Sequence, residues 1–156
     1  MQSYAPGIFI CPSTTGTPRA ACVINQDNTV NSASNPAPRG SVISIYATGQ
    51  GVVPNAPADG MPATGAISTS NTPVVVVGLP VDQYTPQPGE PLDNCPHFIC
   101  YSGLNGYPGM WQVNVEIPKG VPPSTTAPVI LDLILQGVPA WAVTTSPFKV
   151  IVYVSQ

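Results

Sequence analysis

Trp111-Gln112-Val113-Asn114-Val115-Glu116-Ile117 alternates apolar and polar residues over its whole length. In an extended chain successive side chains point to opposite faces. Trp111, Val113, Val115 and Ile117 therefore share one face, and Gln112, Asn114 and Glu116 the other. A helix would scatter these residues around its axis, so the stretch reads as a strand with one face in a core and one in water.

Comparable runs lie on both sides of it. Residues 5–10, 20–24, 41–47, 73–77, 98–101, 128–135 and 148–154 are rich in β-branched and aromatic residues, which makes about eight strands in all. Turn signals separate them: Asn35-Pro36, Arg39-Gly40, Gly49-Gln50-Gly51, Asp59-Gly60, Asn105-Gly106 and Gln136-Gly137. No segment keeps a helical period. Many short strands without helices predict an all-β sandwich or barrel, and 156 residues suit a single domain spanning 1–156.

Composition agrees. The chain has 21 prolines and 14 glycines, and proline is excluded from helix interiors and central strands, so it punctuates short strands with stiff loops. Residues 81–96, VDQYTPQPGEPLDNCP, form the longest polar stretch and read as a loop insertion. Its three acids, Asp82, Glu90 and Asp93, lack the convergent spacing of a calcium loop. Three of the predicted strands are apolar on both faces: 74–77 is all valine, Ile130 and Ile134 flank Asp132 opposite Leu131, Leu133 and Leu135, and Ile151 and Tyr153 oppose Val150, Val152 and Val154. Either the chain covers the second face itself, with a long loop, or a neighbouring subunit does.

Charge narrows the function. Four Lys/Arg and seven Asp/Glu leave a net charge of −3 with no run of either sign. A nucleic-acid surface needs clustered cations to displace phosphate counterions, so that class is set aside. A 7% share of charged residues obliges the surface to be built from Ser, Thr, Asn, Gln, Gly and Pro, as in extracellular modules and assembling subunits. No stretch approaches the roughly 20 apolar residues needed to cross a bilayer as a helix. The start Met1-Gln2-Ser3-Tyr4 has no basic residue and the apolar run around Ile8 is short, so no signal peptide is read here; a mature form or a part of a longer precursor is expected.

The four cysteines fall in two close pairs, Cys11/Cys22 and Cys95/Cys100. Three connectivities are possible, and the local one is the simplest because each pair brackets a turn-rich segment. Disulfides would place the chain in an oxidising compartment. Cys95-Pro96-His97-Phe98-Ile99-Cys100 also brings three metal-binding types together, but a structural zinc site wants four ligands and no second histidine exists. No metal or cofactor is expected.

Catalytic groups are scarce. His97 is the sole histidine, sits beside a proline between two cysteines, and reads as a turn residue rather than a general base. There is no G-x-S-x-G elbow, no phosphate-cradling glycine motif, and no acid pair marked out for glycoside hydrolysis. The chain is expected not to be an enzyme. Aromatics could supply a sugar platform: Tyr84, Tyr107 and Trp141 are candidates for exposure, whereas Trp111 belongs to the apolar face of its strand.

Four segments taken together carry a family resemblance: Ala5-Pro6-Gly7-Ile8-Phe9; Asn25-Gln-Asp-Asn-Thr-Val-Asn31 running on to Asn35-Pro-Ala-Pro-Arg-Gly40; Tyr46-Ala-Thr-Gly-Gln-Gly51; and Tyr101-Ser-Gly-Leu104 followed by Gln112-Val-Asn-Val115 and Ile117-Pro118. In order and spacing they resemble the Solibacter-type C-terminal domain, a module of secreted acidobacterial proteins, over nearly the whole chain. The resemblance implies an immunoglobulin-like sandwich of the IPT/TIG kind, with about seven to nine strands, an extracellular or cell-surface setting and no assigned catalytic residues. The cysteines and the 81–96 insertion depart from the family pattern, and the chain is expected to stand alone rather than to end a longer protein.

The expectation is an extracellular structural subunit that associates with copies of itself, as a filament or surface layer. The N-terminal segment 1–10, with Tyr4, Ile8, Phe9 and Ile10, would lie on its own sheet or add to a neighbour's. The alternative is an accessory module that binds glycans or surfaces.

Overall fold

A computed structural model of the chain describes residues 4–11, 19–78, 99–126, 128–140 and 150–156. Among these residues there are strands and no helix. The first half holds β1 (Gly7–Ile8), β2 (Arg19–Ala20), β3 (Val23–Ile24), β4 (Ala37–Pro38), β5 (Val42–Thr48), β6 (Ile67–Ser68) and β7 (Val74–Val77). The second half holds β8 (Ile99–Leu104), β9 (Trp111–Glu116), β10 (Val129–Leu135), β11 (Val138–Pro139), β12 (Val150–Val152) and β13 (Val154–Ser155).

One sheet runs β1-β5-β9-β8-β6, with β3 also paired to β5; the other runs β11-β10-β12-β2, with β7 also paired to β10. Let A be β1, A′ β2, B β5, C β7, D β8, E β9, F β10 and G β12. The first sheet then contains A, B, E and D in that order, and the second holds A′, G and F with C against F. This is the immunoglobulin arrangement. A short third pairing, β13 with β4, is parallel.

The alternation read in 111–117 is the centre of the core. Trp111, Val113, Val115 and Ile117 are wholly buried, and Gln112, Asn114 and Glu116 are half-buried on the opposite face. Antiparallel register sets Ala47 opposite Trp111, Ile45 opposite Val113 and Ile43 opposite Val115. These side chains meet Val75, Val77, Val129, Leu131, Leu133, Leu135 and Val152 of the second sheet in one continuous cluster. Burial of apolar surface at about 25 cal/mol per Å² makes that contact the main source of stability.

The doubly apolar strands are covered in part by the chain itself, with Ile134 and Tyr153 half-buried and Val74 exposed. Val76, Ile130, Asp132 and Ile151, all on the outer face of the second sheet, are buried in a single copy. Asp132 stands opposite Val76, and its Oδ1 accepts the Leu133 backbone N–H at 2.7 Å. The middle of this face is thus covered within one copy, and its Val74 end is open.

Several boundaries differ from the sequence reading for identifiable reasons. The run 20–24 is divided between sheets: β2 lies parallel to β12, and β3 lies antiparallel to β5. The run 98–101 extends to Leu104 through Gly103, where a Cβ would stand 2.3 Å from the Tyr101 hydroxyl and 2.4 Å from the Ile67 carbonyl oxygen. Gly103 is therefore a close-approach residue inside a strand, not a turn signal. The partner at that point, β6, has two residues and no periodicity to reveal it.

Candidate functional site

β5 ends, β8 ends and β9 begins at one end of the first sheet, and β10 ends and β7 begins at one end of the second. The connections 49–66, 105–110 and the Gln136-Gly137 turn therefore form the loops of these strand ends. Side-chain hydrogen bonds draw them together. Gln136 Nε2 donates to Asn71 Oδ1 at 3.1 Å, and Asn71 Nδ2 donates to the Tyr4 hydroxyl at 2.9 Å. The Tyr4 ring rests against Gly51, where an added Cβ would meet it at 2.8 Å. Both sheets and the N-terminal segment are thus joined at this end.

Between residues 50–61 and 104–109 lies a cleft of about 340 Å³. Val53 and Leu104, both buried, belong to its wall, along with Gln50, Asp59, Met61 and Pro108. Six large apolar or aromatic side chains are exposed among the described residues, and four belong to this end: Val52, Met61, Val74 and Tyr107. Tyr107, at 67% exposure, adjoins the cleft-lining Pro108. Gln50 and Asp59 make no side-chain hydrogen bond among the described residues; Asp59 is exposed and Gln50 half-buried. Binding residues concentrate on loops held by a rigid scaffold, and grouped exposed apolar side chains mark contact surfaces.

The opposite end is also hollowed, beside Asn25, Asp27 and Asn35, but its polar groups serve the fold. Asn31 works as a piece of strand: its Oδ1 accepts the Tyr153 N–H at 2.8 Å, and its Nδ2 donates to the Tyr153 carbonyl at 2.8 Å and to Asn25 Oδ1 at 2.9 Å. Asn25 Nδ2 donates to the Asn35 carbonyl at 3.1 Å. The Thr29 hydroxyl and backbone N–H both donate to Asp27 Oδ1, holding that carboxyl below its ordinary pKa. The amide-rich segment 25–35 thus secures the last strands of the chain. Sequence reading noticed this segment without finding its task, because its partner Tyr153 lies 122 positions away.

The N-terminal residues are accounted for on the chain's own sheets. Gly7 pairs with Thr48 and Ile8 with Ala47. Ala5 N–H donates to the Gly49 carbonyl at 3.4 Å and Phe9 N–H to the Tyr46 carbonyl at 3.0 Å. Ile10 then bridges Ala21. Tyr4, Ile8 and Ile10 are half-buried and Phe9 is 41% exposed. Just beyond, Cys11 and Cys22 form a disulfide with Cα atoms 4.6 Å apart. Cys100 is also disulfide-bonded.

Trp111 is buried, and its Nε1–H donates to Ser102 Oγ at 3.0 Å; Ser102 Oγ lies 2.7 Å from Thr69 Oγ1. Tyr101 folds along its own strand and donates to the Leu104 carbonyl at 2.9 Å. Both aromatics are therefore spent on structure. Tyr84, Cys95, His97 and Trp141, and the insertion 81–96, lie outside the described residues. Among the described residues no three His, Cys, Asp or Glu side chains gather as a metal site, and no helix is long and apolar enough to cross a membrane. A disulfide fits a non-cytoplasmic setting. No family model, no curated protein and no solved structure matches the chain.

Proposed function

We propose that this domain is a non-catalytic adhesive module of the extracellular space or cell surface, which meets its partner through the loop end of the sandwich. The observation that carries the reading is that Val52, Met61, Val74 and Tyr107 are exposed at one end, where Met61 lines a cleft, while Asn25, Asp27 and Asn31 at the other end are engaged in internal hydrogen bonds. Supporting it are the disulfide, the uncharged polar surface and the resemblance to a module of secreted proteins. Neither a cofactor nor a metal enters this reading, and no nucleic-acid partner does.

The test is adhesion of the labelled domain to a panel of intact bacterial cells and insoluble polysaccharides. The double variant Val52→Ser/Met61→Ser should lose adhesion while keeping the thermal midpoint of the parent. Adhesion untouched by these changes, or none to any member of the panel, would refute the reading.

A second reading, self-association into a filament or surface layer, is favoured by the form of the N-terminal seat. β1 has two residues, and Tyr4 and Ala5 rest on Gly51 and Gly49 through contacts that the same segment of another copy would make equally well. Opposing it, the Ile10–Ala21 bridge and the Cys11–Cys22 disulfide hold the following residues in place. Deleting residues 1–10 should abolish any polymer seen by electron microscopy; polymers that survive the deletion exclude strand exchange.

A further inference from the structure

We propose that the cleft between the 50–61 loop and the 104–109 turn is a subsite for an uncharged glycan, with Tyr107 as its stacking platform and Asp59 and Gln50 as its hydroxyl-binding groups. This rests on the reading of the loop end as the adhesive surface and assigns it a ligand class.

The argument begins with charge. Among the described residues no lysine or arginine lines the cleft. Arg39 and Lys119 lie at the other end, Lys119 against Gly40 before β5 begins and Arg39 donating to the Val121 carbonyl at 3.3 Å. Phosphate, sulfate and carboxylate ligands are held by guanidinium or ammonium groups, so an anionic ligand finds no counter-charge here.

Backbone geometry is the next consideration. Among the described residues the cleft is mostly turn, with Gly51, Gly60 and Gly109 at positive φ, and its strand residue Leu104 is already paired on both sides, with Ile67 and Trp111, leaving no edge there on which an extended peptide could continue a ladder. At Gly60 and Gly109 an added Cβ would meet nothing within 4 Å, which leaves open space over the peptide groups at two points of the cleft.

The lining offers one carboxylate, one carboxamide and the apolar faces of Pro57, Met61 and Pro108, and the exposed Tyr107 directly precedes Pro108 at its rim. A neutral sugar has the matching two-sided chemistry. Its C–H face lies on an aromatic ring, and its hydroxyls donate to a carboxylate and exchange hydrogen bonds with an amide. At about 340 Å³ the cleft falls near the lower end of small-molecule sites, which suits a short length of glycan whose remainder stays in solvent.

The experiment is an array of neutral, sialylated and sulfated glycans probed with the full chain, followed by titration of the strongest neutral hit while amide resonances are monitored. Neutral glycans should bind, with shifts confined to residues 50–61 and 104–109. Tyr107→Ala should weaken binding by about tenfold or more, and Asp59→Asn by a smaller factor, while Phe9→Ser, an exposed site elsewhere, should leave it unchanged. Binding of charged glycans alone, binding insensitive to Tyr107→Ala and Asp59→Asn, or a blank array would each overturn the proposal. Adhesion to the cell and polysaccharide panel that is lost in Val52→Ser/Met61→Ser and kept in Tyr107→Ala would leave the adhesive reading standing without the glycan subsite. Loss of both signals removes the two together.

Discussion

An alanine at position 49 would place its Cβ 1.9 Å from the Ala5 carbonyl oxygen, on a backbone held at φ +82°. Neither problem can be relieved by moving a side chain, because the obstacle is backbone and the conformation is the left-handed one. Gly49→Ala should therefore unseat residues 4–8 and cost about 1–3 kcal/mol in chemical denaturation, with faster proteolysis of the N-terminal segment as the local sign. Asn31 is constrained from the other direction, by hydrogen bonds instead of space. Asn31→Asp keeps the acceptor for the Tyr153 N–H but loses the donations to the Tyr153 carbonyl and to Asn25 Oδ1. It leaves three oxygens facing one another, and a loss of about 2–3 kcal/mol is expected by the same measurement. A parent-like midpoint would show that the amide network contributes nothing beyond a turn. In both cases the residue type was visible in the sequence, as a Gly-x-Gly signal and an asparagine-rich run. The demand it meets was not, since Ala5 and Tyr153 are remote along the chain.

At the scale of elements, the stretch from Arg19 to Ile24 passes from one sheet to the other within six residues. β2 lies on β12 and β3 on β5, and the N-terminal segment crosses beside them at the Ile10–Ala21 bridge. The Cys11–Cys22 disulfide closes a loop across this crossover, with a sequence separation of 11. A loop of that size restricts the unfolded chain by about 3 kcal/mol in the chain-entropy account. Replacing Cys11 and Cys22 together by serine should lower stability by about that amount and speed amide exchange at Phe9–Cys11 and Ala20–Cys22 before other parts of the sheets. Uniform exchange across the domain would instead mean that the crossover opens only with global unfolding. The run 20–24 announced extended structure by composition. Its division between sheets follows from twist and closure of the sandwich, which no local pattern records.

For the molecule as a whole, the outer face of the second sheet separates two views of this domain. Val76, Ile130 and Ile151 are buried in one copy of the chain, so they belong to its own stability. Ile130→Ala should lower the unfolding free energy of the isolated domain by about 2–5 kcal/mol, without changing its sedimentation behaviour. Were the face an interface between copies, the monomer would tolerate the change and only association would suffer. Apart from Val74 at its edge, the exposed apolar side chains lie off this face, mostly at the loop end, and that is where the proposed adhesion belongs.

The sequence by itself determined the fold class and, in 111–117, the strand face that turns inward. Period-two alternation in 111–117 and proline-glycine punctuation are local signals, and burial follows them residue by residue. It also brought Cys11 and Cys22 together, because nearby cysteines flanking a turn have few other choices. The tertiary structure alone decided which loops share an end, that Tyr107 stands beside Met61's cleft, and that the Tyr101 hydroxyl is turned back to the Leu104 carbonyl. These are relations between residues distant in the chain. They exist only once antiparallel pairing has fixed where each strand starts and stops.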